Sequence, residues 1–142
     1  MSLEKSKRIK EIRGLILSDT SEVESYLTLS IINYFSKNNQ KLRVMIYKHF
    51  LEKAPFIRKI ELLKEIPEFK KLKKSKKILT NLDEVRITRN KIAHATAKEI
   101  KGKKTRVIFV DLIDKTKNLE VDDNYIKKFE DKTIYLINNL KI

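Results

Sequence analysis

Residues 78–96 read Ile-Leu-Thr-Asn-Leu-Asp-Glu-Val-Arg-Ile-Thr-Arg-Asn-Lys-Ile-Ala-His-Ala-Thr, and their spacing decides the fold class. Ile78, Leu82, Val85, Arg89, Ile92 and Thr96 recur in a four-three rhythm, which marks one face of an α-helix. From Glu68 to about Lys98 there is neither Gly nor Pro, and Ser75 is the only tempting internal cap, so a helix of roughly twenty residues or more is predicted. At about 100° per residue, Ile78, Leu82, Val85 and Ile92 fall within about 60° of Arg89 around the axis, where a purely structural helix would carry Leu. A guanidinium in that stripe is expected to need a partner, because an unpaired buried charge is very costly. Asn90 and His94 stand at i and i+4 and share an edge of the stripe, and Arg86, four residues before Asn90, extends it.

Outward from this helix, the chain reads as mainly helical. Leu3, Ile9, Ile12, Leu15 and Ile16 predict an amphipathic helix over residues 3–17 that weakens near Gly14. Asp19 and Glu22 form a capping-box pattern, predicting a second, central helix that carries Val23, Leu27, Ile31 and Ile32 with Tyr26, Tyr34 and Phe35 as core aromatics. Asn38, Asn39 and Gln40 make a polar break, and a short helix is assigned to residues 42–51. Pro55 and Pro67 each suit the first turn of a new helix, where the missing amide hydrogen costs nothing. After Gly102, residues 105–112 are β-branched and aromatic enough for a strand, and Leu119 to Val121 is expected to pair back onto it. Asp122 or Asp123 then caps a last helix through Tyr125, Phe129, Leu136 and Leu140. The expectation is one domain over residues 1–142, a helical bundle with a small β-hairpin before the C-terminal helix.

Composition agrees and narrows the function. Only 2 Gly and 2 Pro are too few turn residues for an all-β chain. Lysine and arginine number 33 against 19 acids, a net charge of +14 that attracts polyanions, with nucleic acid first among them. The alternative is simply a soluble lysine-rich surface. The absence of Cys excludes disulfides and thiolate metal sites, and no Gly-rich phosphate loop is present for nucleoside triphosphate chemistry. His49, the other histidine, stands too isolated for a metal site and is read as a helix-surface or interface residue. The lysine run from Lys70 to Lys77 is read as a solvated helix face or an RNA-facing edge. With no signal-peptide pattern and no long apolar run, the expectation is a cytoplasmic protein without membrane contact.

The chemistry is concentrated in Arg89, Asn90 and His94. Imidazole moves protons near neutral pH and a guanidinium clamps and neutralises phosphate, a combination suited to cleaving a phosphodiester in RNA with no metal or other cofactor. Arg86 and Lys91 are candidate substrate-binding cations. The plainer alternative is that Arg89 pairs with Glu22 or Glu24 and that His94 merely ends the helix.

The string Arg89-Asn90-Lys91-Ile92-Ala93-His94 resembles the signature of the HEPN family, RNxxAH. The long apolar helix with early acids (Glu22, Glu24) and the Lys-rich approach to the motif are similar to that family as well. The resemblance implies a helical bundle, usually a homodimer with the motifs of both subunits facing one cleft. It further implies a metal-independent endoribonuclease of a toxin or antiviral system, with RNA as substrate and an antitoxin protein as partner. His94 and Arg89 would then act on the scissile phosphate, Asn90 would position them, and Glu22 or Glu24 would be the supporting acid. Other members of the family bind RNA or nucleotides without cutting. Thr96 departs from the toxin branch that is silenced at a tyrosine two positions after the His, which speaks against a nucleotidyltransferase antitoxin. A helical domain that docks on an acidic protein is the third alternative, and it demands an exposed apolar patch.

Overall fold

A computed structural model describes residues 3–99, 107–110 and 118–140, with residues 3–6, 94 and 96–99 described by their backbone alone. The chain runs α1 (Leu3–Ser36), α2 (Gln40–Ile46), a π-helical turn (Tyr47–Leu51), α3 (Phe56–Glu65), α4 (Pro67–Lys70), α5 (Ser75–His94), β1 (Thr96–Glu99), β2 (Val107–Val110), β3 (Leu119–Val121) and α6 (Asp123–Asn139). It is therefore mainly α, with a small antiparallel sheet before the last helix. Helix α1 is central and packs on α2, α3, α5 and α6. The buried apolar side chains of α1, α3, α5, α6 and the sheet form one cluster, with Ile16, Leu27, Ile60, Leu82, Phe109 and Leu136 fully buried.

Two expected helices prove to be one. Gly14 and Asp19 do not interrupt α1, which continues for 34 residues. The buried series Ile9, Ile12, Ile16, Thr20, Val23, Leu27 and Ile31 keeps a three-four rhythm straight across the supposed break. Gly14 faces solvent, where it costs the helix only about 1 kcal/mol. Hydroxyls along this stretch bond back onto their own helix: Thr20 Oγ1 donates to the Ile16 carbonyl at 2.7 Å and Thr28 Oγ1 to that of Glu24 at 2.8 Å. The helix ends at Lys37 and Asn38, both at positive φ, and Asn39 caps α2 by accepting from the Leu42 amide at 3.1 Å. Phe35, expected in the core, is 46% exposed.

The reverse correction applies to the stretch from Glu68 to Lys98. Pro67 opens the one-turn helix α4, residues 71–74 turn the chain, and α5 begins at Ser75. Helix α5 stops at His94, because Ala95 adopts an extended backbone (φ −87°, ψ 151°) and residues 96–99 become a strand. That strand pairs antiparallel with β2, Thr96 opposite Val110 and Glu99 opposite Val107. The expected hairpin partner β3 sits on the other side of β2, Val107 opposite Val121, so the sheet has three strands in the order β1-β2-β3. Val107 and Phe109 point into the core, as period-two alternation requires. The Asp122 side chain accepts from the Tyr125 amide at 2.7 Å and caps α6 as expected. The turns around Gly102 and Asp114 lie outside the described residues. No described helix is long and apolar enough to cross a membrane.

Candidate functional site

Helix α5 carries the motif, and three contacts fix its setting. Ile78, Leu82, Val85 and Ile92 are buried as the rhythm predicts. Thr88, one residue before the motif, is buried too, and its hydroxyl lies 2.8 Å from that of Tyr125, tying α5 to α6. At the end of α5, the Arg13 guanidinium donates to the Ala95 carbonyl at 3.0 Å and lies over the Phe109 ring, 5.6 Å from its centroid. A cation against the last carbonyls of a helix is favourable, so α1 holds this terminus in place.

Arg89 is not in the core. It is exposed, and its Nη1 donates to Asn90 Oδ1 at 3.3 Å. The reason lies in the neighbouring chain: Thr88 occupies the buried angular position toward α6, while on the other flank residues 54–57 stand off from α5. They leave a cavity of about 330 Å³ between them, walled by Glu24, Arg86, Arg89 and Asn90. The cavity thus gathers two cations, an amide and a carboxylate from two helices more than sixty residues apart in sequence.

The carboxylate is already engaged. Glu24 Oε1 accepts from Lys59 Nζ at 3.0 Å, and the Lys59 side chain is only 7% exposed. Arg86 reaches Asp83 at 3.6 Å, and its Nε is buried without a hydrogen-bond partner among the described residues. Three cations (Lys59, Arg86, Arg89) therefore face two carboxylates (Glu24, Asp83), and the excess charge rests on Arg89, which has no acidic partner among the described residues.

Of the residues expected from sequence, the structure gathers Arg86, Arg89, Asn90 and Glu24. Glu22 points elsewhere, since two residues along a helix is about 200° of rotation. It is exposed beside Asp19, whose carboxyl is pushed above its ordinary range by burial, then by the charges of Glu130 and Glu22. Lys91, rotated by the same angle from Arg89, is not a wall of the cavity. His94 is the last residue of α5, one helical turn beyond Asn90, and its ring lies outside the described residues. His49 is exposed on the π-helical turn.

Sequence reasoning missed Lys59. The signal was present, because in α3 the positions Phe56, Lys59, Ile60 and Leu63 form one stripe, and a lysine within it requires an acid opposite. Among the lysines from 70 to 77, Lys74 donates to Asn139 Oδ1 at 2.6 Å and the Lys77 ammonium lies 4.4 Å from the centre of the Tyr135 ring. Those two are held to α6, while Lys71, Lys73 and Lys76 remain exposed without such anchors. Among the described residues no group of three or more His, Asp or Glu side chains is placed to hold a metal ion. No protein-family model, curated protein or solved structure matches this chain.

Proposed function

We propose that this chain is an RNA-cleaving domain of the HEPN type, a metal-independent endoribonuclease acting as a homodimer. The observation that carries the reading is the cavity in which Arg86, Arg89 and Asn90 meet, with Arg89 left unneutralised because Glu24 is held by Lys59. A guanidinium at an open cavity whose one carboxylate is already paired with Lys59 is suited to an external anion, and the +14 chain draws polyanions toward it. Arg89 binds the scissile phosphate, Asn90 orients the guanidinium through their hydrogen bond, and Arg86 adds charge at the wall. The ribose 2′-oxygen attacks phosphorus and the bond from phosphorus to the 5′-oxygen breaks. His94 takes the 2′-hydroxyl proton, and the departing 5′-oxygen takes one from solvent water, leaving a 2′,3′-cyclic phosphate. The setting that goes with this reading is a toxin or antiviral module with an antitoxin protein. Incubating the purified chain with labelled RNA in EDTA tests it: wild type yields fragments with cyclic phosphate ends and His94→Ala does not.

A second reading, a helical module that binds RNA or a protein without cutting, is favoured by a different observation. Helix α2 has no buried residue, and Val44, Met45 and Phe50 are 43%, 49% and 69% exposed. An apolar surface of this kind serves a protein partner, a second copy of the chain included. Solution mass at micromolar concentration tests the dimer: twice 16.8 kDa is expected, and a monomer removes the shared-groove reading.

A further inference from the structure

Beside the Arg89 cavity lies a second, larger cleft of about 590 Å³, formed between α1, the π-helical turn and α3. Glu24 is a wall of both cavities, and its partner Lys59 lines the second. The volume falls within the roughly 300–1,000 Å³ usual for small-molecule sites. The cleft has two kinds of wall. Leu29, Ile32 and Tyr47, the last 43% exposed, are its apolar walls. Lys59 and Glu52 bring a donor-only ammonium and an acceptor-only carboxylate. Glu52 is exposed and has no ion-pair partner among the described residues. Tyr47 and Glu52 bracket the π-helical turn, and the Glu52 amide donates to the Tyr47 carbonyl at 2.7 Å, so one local backbone device sets both side chains at the cleft. Such π-helical turns recur at functional sites.

We propose that this cleft is a base-binding subsite for the nucleotide whose phosphate lies at Arg89, and that it selects guanine. The inference rests on the reading of Arg89 as a phosphate ligand. An unstacked RNA base is held by an aromatic face and read along its Watson–Crick and Hoogsteen edges, and Tyr47 supplies the face. Guanine carries two adjacent acceptors, N7 and O6, followed by two adjacent donors, N1–H and the N2 amino group. Lys59 complements the first pair and Glu52 the second. Adenine and uracil alternate donor and acceptor along the same edge, and cytosine offers one donor group, so none of them gives a carboxylate two neighbouring N–H groups. Stacking on Tyr47 excludes water from the Glu52 carboxylate, which strengthens a bond that solvent would otherwise weaken.

The test is fluorescence anisotropy on 2′-O-methyl oligouridylates, which cannot be cut by 2′-hydroxyl attack, each with a single central G, inosine, A or C. The G oligomer binds about 10-fold more tightly than the A or C oligomers, and inosine, lacking the N2 amino group, falls between. Glu52→Gln erases this preference and leaves the affinity for plain oligouridylate within about 2-fold, since the neutral amide no longer accepts from both donors. Tyr47→Leu weakens all the oligomers by roughly 5-fold or more through lost stacking. Both residues are exposed, so the variants keep the fold, and circular dichroism checks this. Equal affinities for all central bases, or a guanine preference that survives Glu52→Gln, overturn the base subsite. Arg89→Ala in the same assay reports on the phosphate separately: unchanged affinity for plain oligouridylate overturns the phosphate reading and this inference with it.

Discussion

Lys59 Nζ lies 3.0 Å from Glu24 Oε1, and this buried pairing decides the electrostatics of the motif, because it removes the one cavity carboxylate that could otherwise neutralise Arg89. The pair is asymmetric, the lysine side chain being 7% exposed and the glutamate 33%. Removing one partner of a buried ion pair leaves the other uncompensated, and the cost depends on how much water the remaining charge can regain.

Glu24→Gln strands a buried ammonium and is expected to cost about 3 kcal/mol, the low end of the range for broken buried pairs, whereas Lys59→Met leaves a carboxylate that solvent reaches and costs about 1 kcal/mol. Urea denaturation of the two variants reads this ordering. Lys59→Met also frees Glu24 to compete for Arg89, so its RNA affinity drops. Adding Glu24→Gln to that variant restores the affinity for plain oligouridylate, which makes no use of a Lys59 bond to guanine, an outcome that a purely structural role for Lys59 does not produce.

The buried Thr88 and the half-buried Tyr125 share a 2.8 Å hydrogen bond at the joint of α5 and α6. Thr88→Val and Tyr125→Phe are each expected to cost about 1 kcal/mol, and the double variant less than their sum, because one bond is lost once. A double-mutant cycle by denaturation measures the coupling, and full additivity would mean that the bond carries no net stability.

Asp19 gives a pH signature. Burial, then Glu130 and Glu22, raise its carboxyl pKa above the ordinary 3.8, so the native state holds that proton more tightly than the unfolded chain does. Its contribution to stability is therefore full below 3.8 and is lost as pH rises through the native value. Asp19→Asn mimics the protonated form at every pH. The variant should melt above wild type at pH 7 and converge with it in acid, and a constant offset across pH would refute the assignment.

Lys71, Lys73 and Lys76 are exposed, while Lys74 and Lys77 are engaged by α6. RNA affinity should fall steeply with salt through counterion release. If the run faces RNA, Lys71→Gln and Lys73→Gln each lower the salt slope by about 1. An unchanged slope identifies the run as a solvated face.

The apolar periodicities carried most of this fold. Ile78, Leu82, Val85 and Ile92 located α5, Asp122 located the start of α6, and β-branched and aromatic composition located β2, onto which β3 pairs back. Where the reading failed, local polar signals were given more weight than phase. Asp19 and Glu22 resemble a capping box, yet the apolar phase through Ile16, Val23 and Leu27 never breaks. Thr96 to Glu99 is helical by propensity but is drawn into the sheet by pairing with β2, a tertiary contact that no local pattern encodes. At the site, angular position put Arg89 in the apolar stripe, but the buried position between Val85 and Ile92 is held by Thr88, and whether the flank beside it is covered depends on the opposing chain. Residues 54–57 leave it open. The Lys59 partner was legible only as an anomaly within α3.

The chemistry separates the members of the motif. His94 is the proton-transfer group, so His94→Ala is expected to lower cleavage by about 10²-fold or more while RNA binding stays nearly intact. Arg89 binds the phosphate, and Arg89→Ala should lower cleavage and binding together. Because Arg89 is exposed and bonded only to Asn90 among the described residues, this variant should melt with wild type, whereas a guanidinium buried against an acid would have taken stability with it. Asn90→Ala should fall between the two in cleavage, since an amide orients the guanidinium but transfers no proton. Labelled RNA followed in EDTA with all three variants, with the product ends analysed for 2′,3′-cyclic phosphate, distinguishes these roles. If wild type and His94→Ala behave alike, whether both inert or both cutting, the nuclease assignment fails. The Arg89 cavity is then a binding site, its Arg89→Ala defect appearing in affinity alone.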